Sequence, residues 1–364
     1  MLIEFRVSNF RSIGKEQIIS LVPATNQQDY PDNIITTGKS ASLNALALYG
    51  PNSGGKSNLL KAIDLFDKLI YLSAKSNSTT KLPYDPNLLI EGFGNKPTKF
   101  EITFVIDEKR YRYGIEFDQD TIHAEWLFRK KIGREVELFV REQDVIDVSG
   151  AFDSKSKVID TAIEATRKNA LFLSVCDMFN IEEAKCIYKW FNKFINVDGL
   201  DTTREEINTI NLFENDEKYK LRIIEYLRGL DFGIEGIQVH KKEFNPIDLP
   251  DHIDPSTKES LIKELTGKIG MQVNTVHKRY DQFGQIRNDR QFGLYLRGSL
   301  RVQKAFQLSG PVLYTLINGG VLIVDEIEAK LHTKITLEIV NLFLSKKTNP
   351  FRAQLIFAIM ILIC

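Results

Sequence analysis

Apolar and charged side chains alternate along the first residues, with Leu2, Ile3, Phe5, Val7 and Phe10 apolar, and a second run spans Gln17 to Val22 after Gly14. That period of two reads as a pair of strands, so a sheet begins at the N-terminus. Residues 23–44 are polar and rich in turn formers. The apolar run Ala45-Leu46-Ala47-Leu48-Tyr49 then stops on a glycine, as a strand buried on both faces does. From Lys56 the period becomes helical, with Leu59, Leu60, Ile63, Phe66, Leu69 and Ile70 at helical spacing. Strand, glycine loop and helix follow in that order.

Ser73 to Asn87 is rich in Ser, Thr, Lys and Pro and reads as an exposed loop. Phe100 to Ile106, Arg110 to Phe117 and Ile122 to Phe128 read as a β-meander, joined by turns at Asp107-Glu108 and Asp118-Gln119-Asp120. From Ile159 to Leu230 the pattern is helical and includes Ala184, Ile187, Trp190, Phe191 and Phe194. Two alternating stretches, Ile237 to Phe244 and Met271 to Tyr280, flank a polar segment holding three prolines. A helical Ser299 to Ile317 leads to the buried strand Val321-Leu322-Ile323-Val324, which ends in Asp325-Glu326. A helix (Thr336 to Leu344) and a strand (Gln354 to Ala358) complete the pattern. The expected fold is α/β: a mixed sheet with β-meander and helical insertions. Its parts are residues 1–158, an inserted helical and mixed subdomain at 159–290, and a return to the first domain at 291–364.

Composition narrows the function classes. The 364 residues suit about two domains. Forty-eight Lys and Arg balance 48 Asp and Glu, which removes the global charge argument for a nucleic-acid or membrane-surface protein. Any such partner must use a local patch. The short basic clusters Arg129-Lys130-Lys131 and His240-Lys241-Lys242 read first as solvated strand faces. Three scattered cysteines make neither a disulfide framework nor a metal site and point to a reducing compartment, with the cytoplasm the default. Charges interrupt the N-terminal apolar run, so it is no signal peptide, and Leu355 to Cys364 is about half of what spans a bilayer.

Two stretches carry chemistry. Gly50-Pro51-Asn52-Ser53-Gly54-Gly55-Lys56-Ser57, followed by Asn58, fits G-x-x-x-x-G-K-[ST] between a buried strand and an amphipathic helix. Glycines let such a loop wrap a phosphate with backbone amides, and the helix start adds partial positive charge. Lys56 is expected to reach the β and γ phosphates of ATP, and Ser57 to hold Mg2+. Asp325 and Glu326 stand at the carboxyl end of a buried strand, where α/β sheets place their ligands. Asp325 is expected to bind the metal, directly or through water, and Glu326 to be the general base on the attacking water. Lys56 and Asp325 lie near opposite ends of the chain, so the residues between them are inserted into one nucleotide-binding domain.

The chain resembles the ABC-type P-loop ATPase heads of the RecF, SMC and OLD-like group, specifically the prokaryotic AAA-family ATPases of phage-defence loci. The resemblance rests on Phe5-Arg6-Val7-Ser8-Asn9-Phe10-Arg11-Ser12, the glycine loop with Leu59 to Ile63, Asn169-Ala170-Leu171-Phe172-Leu173-Ser174, and Val321 to His332. It implies that Arg11 lies near the phosphates and that Glu328 to His332 belong to a dimer interface. It also implies a head-to-head homodimer that sandwiches ATP and gates a partner, such as an effector nuclease or toxin, often linked to nucleic acid. In such heads a Ser-x-Gly signature engages ATP across the dimer. Ser299 matches the serine, but Arg301 stands where the glycine belongs, which weakens that engagement. The alternative is a nucleotide-binding scaffold with little hydrolysis, or an inert truncated remnant. A P-loop GTPase is disfavoured because the chain has no Asn-Lys-x-Asp.

After Ala358 the family continues Thr-His-Asp-Thr-Asn-Leu, whereas this chain reads Ile359-Met360-Ile361-Leu362-Ile363-Cys364. Dropping one nucleotide from ACT CAT GAT ACT AAT CTG, one of the synonymous codings of that sequence, gives ATC ATG ATA CTA ATC TG, which reads Ile-Met-Ile-Leu-Ile and the start of a Cys codon. The hypothesis is a frameshift that removes the switch histidine. Reading the gene tests it: the neighbouring frame should continue the family pattern, and a frame with no continuation rejects the idea.

Overall fold

The computed structural model describes residues 1–24, 30–152, 156–249, 254–267 and 269–360. The N-terminal alternation forms β1 (Leu2–Ser8), antiparallel to β2 (Gln17–Ser20). The polar stretch beyond it holds a hairpin of β3 (Ile34–Thr37) and β4 (Ser40–Leu43), which its composition concealed. The buried run is β5 (Ala45–Gly50), and the glycine loop leads into α1 (Lys56–Leu72). The meander β6 (Thr98–Ile106), β7 (Lys109–Phe117) and β8 (Ile122–Lys130) continues into β9 (Val136–Glu142) and β10 (Val145–Val148). A register shift opposite Leu127 and Phe128 buries the consecutive Leu138 and Phe139 of β9, which breaks its alternation.

Helices α2 (Ser156–Ala165), α3 (Phe172–Met178) and α4 (Glu182–Phe191) follow, and then β11 (Phe194–Asp198). Phe194 continues the helical spacing of α4, yet its segment is extended because it pairs with a strand far along the chain. The chain goes on through α5 (Thr203–Asn215), α6 (Glu217–Gly229), β12 (Gly236–Glu243), α7 (Pro255–Leu265), β13 (Ile269–His277) and β14 (Arg290–Gly293). It closes with α8 (Leu294–Arg297), α9 (Leu300–Asn318), β15 (Val321–Asp325), α10 (Thr333–Leu344) and β16 (Gln354–Met360). The last strand runs two residues past Ala358, since Ile359 and Met360 pair with Tyr49 and Gly50. Residues 361–364 of the frameshift hypothesis lie outside the described residues.

The chain divides into two units. The first holds Met1–Leu200, Thr315–Ala329 and the stretch from Ile339 on; the second holds Asp201–Tyr314 and Lys330–Glu338. The expected boundary at 158/159 therefore lies at 200/201, because Phe172, Trp190 and Phe191 pack into the core of the first unit. Ser299, expected in the returning part of the first domain, belongs to the second unit.

The first unit has a seven-stranded antiparallel sheet, ordered β10-β9-β8-β7-β6-β1-β2, and a four-stranded parallel sheet, ordered β11-β15-β16-β5. Helix α1 touches β1 of one sheet and β5 and β15 of the other. Its Phe66 is fully buried against the rings of Phe5, Phe100, Tyr113 and Phe191, with centroids 5.7–6.0 Å away.

The segment Asn169–Ser174 proves to be a structural staple. Glu125 on β8 accepts from the backbone N–H groups of Phe172 (2.6 Å) and Leu173 (2.9 Å) and from the Tyr113 hydroxyl (2.9 Å). Arg141 on β9 donates to the carbonyl of Ala170 (2.6 Å). Asn169 donates to the carbonyls of Asn77 and Thr80, and Ser174 to that of Ile70 at the end of α1. Burial pushes the Glu125 carboxyl up, while Arg141 and these donors oppose the shift.

Gln354 joins the two sheets. Its carboxamide oxygen accepts from Leu2 N–H (2.6 Å), and its two N–H groups are shared among Leu2 O (3.0 Å), Ser42 Oγ (2.9 Å) and the half-buried Leu43 O (2.9 Å). Gln354→Leu keeps the volume but strands the Leu2 N–H. The expected loss is about 3 kcal/mol, read as a lower urea midpoint at unchanged slope.

Candidate functional site

At the carboxyl end of β5 the chain turns into residues 50–55 and enters α1. Ser53 and Gly55 have positive φ, 61° and 89°. Gly55 suits the residue that starts the helix, since a left-handed backbone there strains any larger side chain. A Cβ on Gly54 would come 2.9 Å from the Pro51 carbonyl oxygen. No side chain caps α1, and no acidic residue stands in its first turn, so its leading N–H groups remain available to an anion.

Lys56 Nζ donates to the carbonyls of Gly50 (2.7 Å) and Pro51 (3.1 Å), folded back over its own loop. Both acceptors are neutral, so an arriving phosphate is a stronger partner. Residues 52–58 line a cleft of about 370 Å³, together with Ser12, Asp325, Glu326 and the end of β16. Asn58 donates to Ser12 Oγ (2.7 Å), which ties the loop after β1 to the first turn of α1.

The opposite wall is acidic. Parallel pairing of β15 with β16 and β11 brings Asp325 to the same end of the sheet as the glycine loop. Asp325 Oδ1 is buried without a hydrogen-bond partner, a costly state for a carboxylate oxygen. That orphan, with the Ser57 hydroxyl in the same cleft, fits a divalent cation. Among the described residues no group of three His, Cys, Asp or Glu forms a metal cluster. One carboxylate oxygen and one hydroxyl suit Mg2+, which takes one or two protein ligands and completes its shell with phosphate and water.

Glu326 holds a left-handed backbone, φ 49°. Burial raises its carboxyl pKa above the ordinary value, and Asp325, Glu328 and Asp198 push it further, while Lys56 opposes them. Behind this turn stands Gly199, whose N–H donates to Asp325 O (2.9 Å). A Cβ there would fall 2.1 Å from Asp325 O and 2.4 Å from Glu326 O, so only glycine fits. Asp198 stands in register beside Asp325 on the neighbouring strand.

The cleft therefore gathers Asn52, Ser53, Gly54, Gly55, Lys56, Ser57, Asn58, Asp325 and Glu326, with Gly50 and Pro51 behind it as acceptors for Lys56. Arg11 is absent from the lining; its guanidinium pairs with Asp85 (2.8 Å), and its neighbour Ser12 faces the cleft instead. Ser299, in the second unit, caps the start of α9 by accepting from Val302 N–H (3.4 Å). Sequence reasoning missed Ser12, Asp198 and Gly199. Ser12 stood within a quoted motif, whereas the other two become visible only through the register of β11 on β15.

Among the described residues no helix is long and apolar enough to cross a membrane. No curated protein matches the chain. Among solved structures it is similar to the SMC head domain from Thermotoga maritima, at 11% identity over 99% of this chain and 89% of that one, TM-score 0.44. It is also similar to the recombination mediator protein RecF with ATP, at 15% identity over 99% and 93%, TM-score 0.34. An Smc head domain bound to the C-terminal domain of ScpA, derived from Pyrococcus furiosus, shares 14% identity over 99% and 89%, TM-score 0.39. A family model described as "AAA domain, putative AbiEii toxin, Type IV TA system" matches residues 45–358, which take in the glycine loop, the acidic strand end and most of β16. The chain belongs to this AAA-domain family of P-loop ATPases.

Proposed function

We propose that the chain binds ATP with Mg2+ in the cleft between the glycine loop and Asp325-Glu326 and hydrolyses it. The observation that carries this reading is the convergence of β5, β16 and β15, whose carboxyl ends bring a phosphate-type loop and an orphaned carboxylate into one cleft. Backbone amides at the start of α1 and Lys56 hold the phosphates. Ser57 and Asp325 hold Mg2+, which when bound supplies positive charge against the phosphate oxygens. Glu326 takes a proton from the attacking water. Its raised basicity suits that task, and Gly199 fixes the turn from which it projects. Arg11 would have to leave Asp85 to reach a phosphate.

Hydrolysis would open a head-to-head homodimer closed by ATP, with Ser299 of each copy engaging the nucleotide of the other. The output would be control of an effector; the family description names a toxin of a type IV toxin–antitoxin system, and a defence role in the cytoplasm is of that kind. A second reading, a nucleotide-binding scaffold with little turnover, draws support from the exposed Arg301 two residues after Ser299.

Lys56→Ala should abolish binding of a fluorescent ATP analogue. Glu326→Gln should keep binding and lower steady-state hydrolysis about a hundredfold or more. Binding without turnover, the same in wild type and Glu326→Gln, would favour the scaffold. Gly199→Ala should reduce kcat with little change in ATP affinity, because it displaces Asp325 and Glu326 but leaves the glycine loop in place; an unchanged kcat would show that the turn tolerates the shift.

A further inference from the structure

The second unit carries an element that the ATPase reading leaves without a role. Between β13 and β14 the chain extends as a narrow hairpin, with Tyr280 bridged to Ile286 and Arg287 N–H donating to Arg279 O (2.7 Å). It is ordered from within by one carboxylate. Asp281 accepts from the backbone N–H groups of Phe283 and Gln285, both at 2.9 Å, and pairs with Arg287 at 2.9 Å.

This polar hub lets the hairpin stand in solvent with its apolar side chains outward. Tyr280 is 57% exposed, Phe283 at the tip 78% and Ile286 62%. Cross-strand bridging places Tyr280 and Ile286 side by side on one face. Three large apolar groups, each more than half exposed on an ordered projection, mark a contact surface.

Charge decides the kind of partner. Residues 278–301 hold six Lys or Arg (Lys278, Arg279, Arg287, Arg290, Arg297 and Arg301) against Asp281 and Asp289, a local excess of four in a chain that is neutral overall. Glu235 neutralises Lys278, and Asp281 neutralises Arg287. Among the described residues Arg279, Arg290, Arg297 and Arg301 have no carboxylate partner. Arg290 and Arg297 instead lie over the ring of Phe292, at 5.5 and 5.9 Å. Exposed rings (Tyr280, Phe283 and Tyr295) and the half-buried Phe292 are thus interspersed with arginines from Arg279 to Arg301. Rings stack on unpaired bases and guanidinium groups meet phosphates, whereas a duplex hides the faces of its bases.

We propose that the hairpin 278–290, with Phe292 and the arginines around it, is a binding site for single-stranded nucleic acid. Fluorescence anisotropy of the full-length protein with a labelled oligothymidine, beside a duplex of equal length, tests this without added nucleotide. The expectation is tighter binding to the single strand, weakened about tenfold by Phe283→Ala and more by the Tyr280→Ala/Phe283→Ala double variant. Arg279→Gln/Arg290→Gln should weaken binding and flatten its salt dependence. All these positions are exposed, so unchanged thermal melting checks that folding is intact. Undetectable binding, equal affinity for the duplex, or affinity untouched by the ring and arginine variants would overturn the proposal; the first would point to a protein partner for this face, and the last to a nucleic-acid site elsewhere on the chain. Because no readout uses ATP, failure here leaves the hydrolysis reading standing, and loss of hydrolysis leaves this one standing.

Discussion

The carboxamide of Gln354 is the joint on which the first unit depends. One side chain near the C-terminal end satisfies both polar backbone groups of Leu2 and two groups of the β4 region, with no water needed. Apolar packing sets no register, since one leucine serves nearly as well as the next. Directed hydrogen bonds do, because a residue's slip would leave several interior polar groups unpaired. Gln354 therefore fixes where β16 starts relative to β1, and so how far its other end reaches beside the glycine loop. The Glu125 and Arg141 staple does the same for the meander, tying it to the far end of α1. The phosphate-type loop is thus held from both ends of its helix.

The site inherits its character from this framework. Parallel strands all end on the same side, so β5, β15 and β11 deliver a lysine loop and several carboxylates to one rim without any loop having to span it. The result is electrostatically unbalanced as it stands. Asp198, Asp325, Glu326 and Glu328 face a single lysine that is turned toward carbonyls. Such a rim favours a cation together with a polyanion over either alone: the cation relieves the carboxylates, and the polyanion draws the lysine off its loop.

Legibility in the sequence followed locality. Strand β5, the glycine loop and α1 are contiguous, and their periods and glycines are self-sufficient signals, as are Val321 to Glu326. Segment β11 failed because five residues beginning with Phe194 fit a helix and a strand equally well, and only pairing with β15 decides between them. Asp198 and Gly199 were hidden for the same reason. The boundary at 200/201 was missed because α2 to α4 look like the helices that follow them, while their burial partners lie on a meander some way upstream. The motif Asn169–Ser174 could be singled out but not explained: its work is done by backbone groups, which leave no mark in side-chain composition.

The strand order also sets a timetable. Among the described residues β5 has a single strand partner, β16, which stands between it and β15 and is made last. A growing chain on the ribosome therefore carries its glycine loop through most of synthesis on an unpaired edge, out of reach of the acidic wall that completes the site. The antiparallel meander, built from neighbouring hairpins, can assemble early, whereas the parallel sheet must wait for the longest-range contacts in the chain. The cleft between the glycine loop and Asp325-Glu326 therefore closes in a single late event, the docking of β16 between β5 and β15.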